Sequence, residues 1–408
     1  MKILFCTSGL ITGRGGIASY AHDFIEAFKA GNEFVVVTND GYVRKDSDSF
    51  DVIRFDMNDF SLNNAKRFMA FISDMNPQLI VNSAFPLLSL VTPYISNGIK
   101  VISIAHFVDG KLLRAAGLNA NYIDTPIVLS TFAKNNLCRQ FRVKNKSKVK
   151  VVYNFMPAEE INIKRKKEVQ VLKIVYPGGH SISKSADIVC MVLKMLLDSR
   201  FQFEFYWLGN ITLPGSGWPF VKIKSVSDSV NKNDPRIKVF GPVPREEAKH
   251  IMANANIFLL PSRGEGCPIT LLEAMRGACI PIISDAKHGS LDLIENNKSG
   301  IVVKQNNAKQ IFNIITDIIS QPLAYNHIYD GSYEKFRKDL QYDVWYSQMS
   351  QIIGERNNHI DRIPFNIWKY WKDALYIKYR DLLYFLKDRL LIQPYSMLIF
   401  RYIKYIKK

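Results

Sequence analysis

Short apolar runs alternate with helical or loop stretches along most of this 408-residue chain, and the alternation runs twice. The first series opens with "KILFCTS" (2–8), a glycine-rich "GLITGRGG", the helical pattern "IASYAHDFIEAFKA" and a second run, "EFVVVTN" (33–39). That is a strand–turn–helix–strand unit. Runs at 51–56, 78–84, 100–106, 125–130 and 149–154 continue it. Residues 155–170, "FMPAEEINIKRKKEVQ", are polar without an apolar period and read as a linker. The series then restarts at 172–179, 202–210, 236–242, 256–262, 279–285 and 299–304. Such alternation predicts the α/β class, with two Rossmann-like parallel-sheet domains over 1–158 and 170–340. Ligands of open parallel sheets sit beyond the carboxyl ends of the strands, often at a helix N-terminus, so the shared cleft is the expected site.

Composition narrows the class. With 47% apolar residues the chain can fill two cores. The longest apolar stretch, "PQLIVNSAFPLLSLVTPYI" (77–95), is broken by Asn82, Pro86 and Pro93, so no membrane span is expected. Nor does the N-terminus read as a secretory signal. The five cysteines lack metal-type spacing and read as free packing thiols of a reducing, cytoplasmic protein with no metal site. The net charge of +17 calls for an anionic partner.

"IFLLPSRGEGCPITLLEAMRGACIPIIS" (257–284) concentrates the chemistry. A strand ends in the loop "SRGEGC"; Pro268 suits the first turn of a helix, where its missing N–H is not needed. The free amides of Ile269 and Thr270 would favour a phosphate. A carboxylate accepts from two hydroxyls, so Glu265 on the loop and Glu273 on the helix could grip two sugars flanking a diphosphate, the shape of a nucleotide-sugar. By spacing alone, Glu265 could equally complement the helix dipole and Glu273 be a solvated helix residue.

The stretch "PSRGEGCPITLLEAMRGACIPIISD" resembles the signature of the retaining family-4 (group 1) glycosyltransferases of the GT-B fold. "HGSLDLIENNKSGIVVK", with Asp292 in the acidic place, "IKVFGPVPREEAKHIMANANIFLLPS", "VLSTFAKNNL", "VKVVYNFMP" and "YDVWYSQMSQIIGE" extend the resemblance over about 1–355. It implies that Glu265 contacts the donor sugar, Glu273 the ribose diol, and Lys184 the diphosphate leaving group. It also places backbone from Gly266 through Cys267 to Ile269 and Thr270 beside the donor, and gives His106 an active-site position near the sugar. Gly15 and Gly16, lacking Cβ atoms, let backbone approach phosphate or acceptor closely. The pattern breaks twice: His180 stands where an Arg is common, and Ser185 where a Gly usually follows the Lys. Asp109 is a weaker acceptor-side candidate. The implied activity is transfer of a hexose-type sugar from a UDP- or GDP-sugar with retention, without a metal or other cofactor, to a glycan acceptor in surface polysaccharide or glycolipid synthesis. An inactive scaffold subunit and a nucleotide-sugar epimerase are the rival readings.

Residues 341–355 resemble the closing helix that crosses back to the first domain. Beyond them, 355–408 hold 12 Lys/Arg against 5 Asp/Glu, and 12 aromatics. Ile367, Trp371, Leu375, Tyr379, Leu382, Leu386 and Leu390 make one apolar helical stripe. Basic and aromatic together, 356–408 read as an interfacial helix for an anionic membrane surface, or else as helices packed on the two domains; nucleic acid is not expected. A polyprenyl-diphosphate-linked acceptor at the inner face of the cell membrane would account for tail and charge together.

Overall fold

The computed structural model describes residues 1–11, 16–108, 110–157, 171–179, 183–209, 234–241, 243–286, 288–355 and 360–390, with the backbone alone at 245 and 384–390. Seven strands form the first sheet: β1 (Lys2–Thr7), β2 (Glu33–Thr38), β3 (Phe50–Arg54), β4 (Leu79–Ser83), β5 (Lys100–Ala105), β6 (Thr125–Val128) and β7 (Lys150–Val151). Six form the second: β8 (Leu172–Tyr176), β9 (Phe203–Leu208), β10 (Ile237–Phe240), β11 (Ile257–Leu260), β12 (Ile280–Ser284) and β13 (Ile301–Val303). The helices of the first half are α1 (Gly16–Phe28), α2 (Leu62–Met75), α3 (Pro86–Val91), α4 (Gly110–Gly117) and α5 (Thr131–Gln140). Those of the second are α6 (Ala186–Leu197), α7 (Arg245–Asn254), α8 (Ile269–Arg276), α9 (Ala308–Ser320) and α10 (Asn326–Asp339). Then come α11 (Tyr342–Gly354) and α12 (Ile367–Leu390).

Every strand pairing is parallel, in the orders β3-β2-β1-β4-β5-β6-β7 and β10-β9-β8-β11-β12-β13. The central strands β4, β5, β11 and β12 are buried along their whole length, because helices cover both faces. That is why they read as unbroken apolar runs and not as alternating ones. In both sheets the order reverses at the first strand, between β1 and β4 and between β8 and β11. A crevice opens beyond the strand ends at such reversals, and the two crevices face one cleft.

The helix α11 is tied to the first sheet's side. Trp345, 2% exposed, stacks on Phe155 with ring centroids 4.1 Å apart and meets Tyr20, Phe24 and Phe28 at about 6 Å. Met156 donates to the Leu340 carbonyl (3.0 Å) and accepts from the Tyr342 amide (3.1 Å). The buried Lys100 ammonium donates to the carbonyls of Ile352 (2.6 Å), Ile353 (3.2 Å) and Glu355 (2.6 Å) at the end of α11, where the helix dipole is negative. Burial lowers the pKa of that lysine, with Asp124 and Glu355 opposing. Among the described residues no helix is long and apolar enough to cross a membrane.

Because Trp345 is the aromatic hub joining α11 to α1, Trp345→Ala should cost about 3–5 kcal/mol. Urea titration followed by far-UV circular dichroism should show the midpoint falling accordingly.

Candidate active site

The cleft holds a cavity of about 460 Å³. Its walls come from both halves: Ser8 and Gly9 after β1, the first turn of α1 from Gly16, and His106–Phe107 after β5 on one side. On the other are Lys184 before α6 and the run Glu265–Thr270 after β11. The switch-point loops thus supply most of the wall. Residues Gly15, Asp109 and His180 lie outside the described residues.

At the centre, Lys184 Nζ stands 2.5 Å from Glu265 Oε1, and Ser262 Oγ donates to the same oxygen at 2.8 Å. The glutamate is 6% exposed. A carboxylate so far from water needs such donors, and a lone partner loss would leave it an uncompensated charge. The spacing between the two loops is set from behind. Arg263 forms a two-pronged pair with Asp187 of α6, both contacts 2.8 Å, and its amide donates to the Ser183 carbonyl at 2.7 Å. Arg263 and Asp187 therefore clamp the Lys184 loop to the Glu265 loop. His288, 1% exposed, accepts the Ser290 amide at Nδ1, which leaves its proton on Nε2 for Ser284 Oγ (3.2 Å). Ser284 in turn donates to the Ser262 carbonyl at 2.5 Å. Burial lowers the His288 pKa, so this chain holds Ser262 with a neutral imidazole.

Two helix N-termini converge on the cavity, α1 at Gly16 and α8 at Ile269, and a Cβ built on Gly16 would lie 3.7 Å from the Ile269 side chain. Both present free first-turn amides and positive dipole ends to an anion. Cys267 and Pro268 close the approach to α8, and the Cys267 carbonyl accepts from Asn154 Nδ2 at 2.7 Å. Gly266 is required by proximity: a Cβ there would lie 2.5 Å from the His106 carbonyl oxygen. Gly289 is just as confined, since its Cβ would fall 1.5 Å from the Gly266 carbonyl. Across the same seam, Asp292 accepts from the Thr131 amide (2.5 Å) and hydroxyl (2.6 Å) at the start of α5.

His106 ends β5 on the cavity wall, hydrogen-bonded through Nε2 to Ser83 Oγ at 2.8 Å and edge-on to Tyr20. Burial pushes its pKa down to about 4, so the ring is neutral at physiological pH. Glu273, 5% exposed, lies on α8 and is not among the residues that line the cavity. Lys184, Glu265, His106, Gly16 and the 266–270 backbone are thus brought together, and Glu273 lies one turn further along α8. Sequence reasoning missed Asn154, Arg263 and Asp187. Only the "Tyr-Asn-Phe" context of Asn154 at the end of the first domain could have flagged one of them.

Residues 215–335 match the family model for glycosyl transferases group 1, and residues 14–160 match that for glycosyltransferase family 4. Together with its relatives, these matches show that the chain belongs to the group 1, family 4 glycosyltransferases. It is 24% identical over 213 residues to the amylovoran biosynthesis glycosyltransferase AmsK of Erwinia amylovora, covering 50% of each chain. It is likewise 24% identical over 213 residues to the lipopolysaccharide 1,6-galactosyltransferase of Escherichia coli K12, covering 52% of this chain and 57% of that one. The alignments thus span about half the length of these relatives. Anabaena HepE, solved in complex with UDP and glucose, superposes with a TM-score of 0.67–0.68 in its UDP-bound forms, at 14–15% identity over 86% of this chain and 99% of that one. The architecture is the GT-B fold, two parallel-sheet domains about a cleft.

Ser185 shows what the break in the family pattern does. It caps α6 in the left-handed region (φ 58°, ψ 42°), fully buried, and its hydroxyl has no hydrogen-bond partner. A Cβ in that region is strained by about 1–2 kcal/mol, which glycine avoids. Ser185→Gly should therefore raise stability by about 1 kcal/mol, measured as an upward shift of the thermal midpoint.

Proposed function

We propose that the chain is a retaining glycosyltransferase that moves a hexose-type sugar from a UDP- or GDP-sugar to a glycan acceptor. The observation that carries this reading is the Lys184–Glu265 pair, set where two helix N-termini meet at both switch points. The names of the relatives speak of amylovoran biosynthesis and of galactosyl transfer to lipopolysaccharide, which supports a surface polysaccharide or glycolipid as the product here.

On this reading the diphosphate lies against the amides at the starts of α1 and α8, with Lys184 reaching its oxygens. Charge builds up there as the bond from the anomeric carbon to the phosphate breaks, and preorganised donors stabilise it best. The acceptor oxygen attacks from the face the diphosphate leaves, and its proton departs with the leaving group. Lysine and helix amides neutralise the diphosphate, so the reading needs no metal. Glu265, released from part of its pairing when Lys184 turns to phosphate, accepts hydrogen bonds from the donor-sugar hydroxyls. Neutral His106 contacts the sugar as a hydrogen-bond partner and not as an acid. Glu273 is assigned the ribose diol. The acceptor is lipid-linked, at the cytoplasmic face of an anionic membrane met through residues 356–408.

Thermal unfolding against a panel of UDP-, GDP-, ADP- and CMP-sugars tests the donor site. One class should stabilise the chain by about 2.7 kcal/mol at 100 times Kd. Lys184→Ala should lower kcat by about 10²–10³, and Glu273→Ala should weaken stabilisation by the matching nucleotide. A folded chain that responds to none of the panel would overturn the reading, and an unaltered Glu273→Ala would remove the ribose role alone.

A further inference from the structure

The helix α12 seats on the first domain with a face about 130° around its axis from its apolar stripe. Tyr370, Ala374 and Ile377 are buried against α2, α3 and neighbouring loops, and Tyr370 Oη donates to the Phe60 carbonyl at 3.0 Å. Asp381 pairs with Arg114 of α4, and Asp373 accepts from Lys369 (2.7 Å) and Asn119 (3.1 Å). The segment leading in is locked as well: Arg362 meets Asp124 at 3.0 Å with both side chains 2% exposed. At 3.6 residues per turn these docking residues cover an arc of about 60°.

On another arc, about 80° wide, stand Trp368, Trp371, Leu375, Tyr379 and Leu382, all exposed, Trp368 by 82%. Of the 14 large exposed hydrophobic residues among the described ones, seven fall between Phe365 and Leu382. Exposed Lys372 and Lys378 border the stripe on its two sides. The residues that follow, 391–408, contain four Lys/Arg and no Asp or Glu.

We propose that this face of α12 is a docking surface for an anionic lipid bilayer. Trp and Tyr with an apolar body and a polar tip suit the headgroup boundary, Leu375 and Leu382 reach below it, and lysines at the margins meet acidic headgroups. An acidic protein partner would use the charge but leave the apolar stripe unexplained, and a second copy of this chain would oppose its own basic rim. The surface is rigidly mounted beside the site. Leu112 of α4 lines the cavity, while Lys111 and Arg114 of the same helix hold Asp381 of α12. Docking would therefore fix the cleft at a set height over the bilayer, with the first domain turned to a lipid-linked acceptor. That use rests on the transferase reading; binding to the bilayer does not.

The full chain should co-sediment with vesicles of phosphatidylcholine and phosphatidylglycerol (3:1), less at high salt and at least tenfold less with phosphatidylcholine alone. The double variant Trp368→Ser/Leu375→Ser, and separately Lys372→Glu/Lys378→Glu, should each weaken binding at least tenfold. Both should keep the wild-type thermal midpoint and its shift with nucleotide-sugar. Failure of the wild type to bind, or undiminished binding by the Trp368/Leu375 variant, overturns the proposal; so does a wild-type dimer that this variant splits. Loss of nucleotide-sugar response with vesicle binding intact would sink the transferase reading and leave the docking surface standing.

Discussion

The contact between Lys184 and Glu265 organises the cleft. A buried carboxylate is tolerable only with charge or hydrogen-bond donors close by, and here one lysine and one serine supply them. The lysine is the group a diphosphate would compete for. On the proposed reading the apo pair is thus a stand-in: Lys184 neutralises Glu265 until an anionic donor arrives, and the glutamate then takes sugar hydroxyls in exchange. Such an exchange needs both loops held at a fixed separation, which is what the Arg263–Asp187 fork provides. The fork joins the Lys184 loop, which follows β8, to the Glu265 loop, which follows β11.

Closure of the cleft depends on how near two backbones can come. Gly266 lets the second domain's loop reach the carbonyl of His106, and Gly289 lets its own loop lie against Gly266. Asn154 and Thr131 then fasten the seam with hydrogen bonds to Cys267 and Asp292. One apolar core cluster holds buried residues of both halves, from Phe5 and Leu129 to Phe258 and Leu271. A second tie lies elsewhere: α11, held by Trp345 and Lys100, returns the chain to the first domain.

Much of the fold was legible because strands buried on both faces leave short β-branched apolar runs bounded by turn residues, as at β5 and β12. The loop after β11 was legible for a different reason: Glu265 and Pro268 lead into a helix start, and their types have chemical meaning at that place. Arg263 and Asp187 were not, since 76 residues separate them and each alone is an ordinary surface charge. Helical spacing says which residues share a face, and by itself it does not say what that face meets.

The last helix exposes the same limit from the other side. Its sequence carries a long apolar stripe, and in most helices such a stripe is what packs. Here Tyr370, Ala374 and Ile377 pack instead, through one small residue, one aliphatic and one tyrosine whose hydroxyl is satisfied by a carbonyl. Ala374 lets the helix sit close, and the Asp381–Arg114 ion pair and the hydrogen bond from Asn119 to Asp373 fix its rotation. A helix fastened so firmly by its lesser face has no freedom to roll and bury Trp368 or Leu375. The apolar surface is held outward by the fold, and a surface held outward at that cost in hydration is explained by something that covers it.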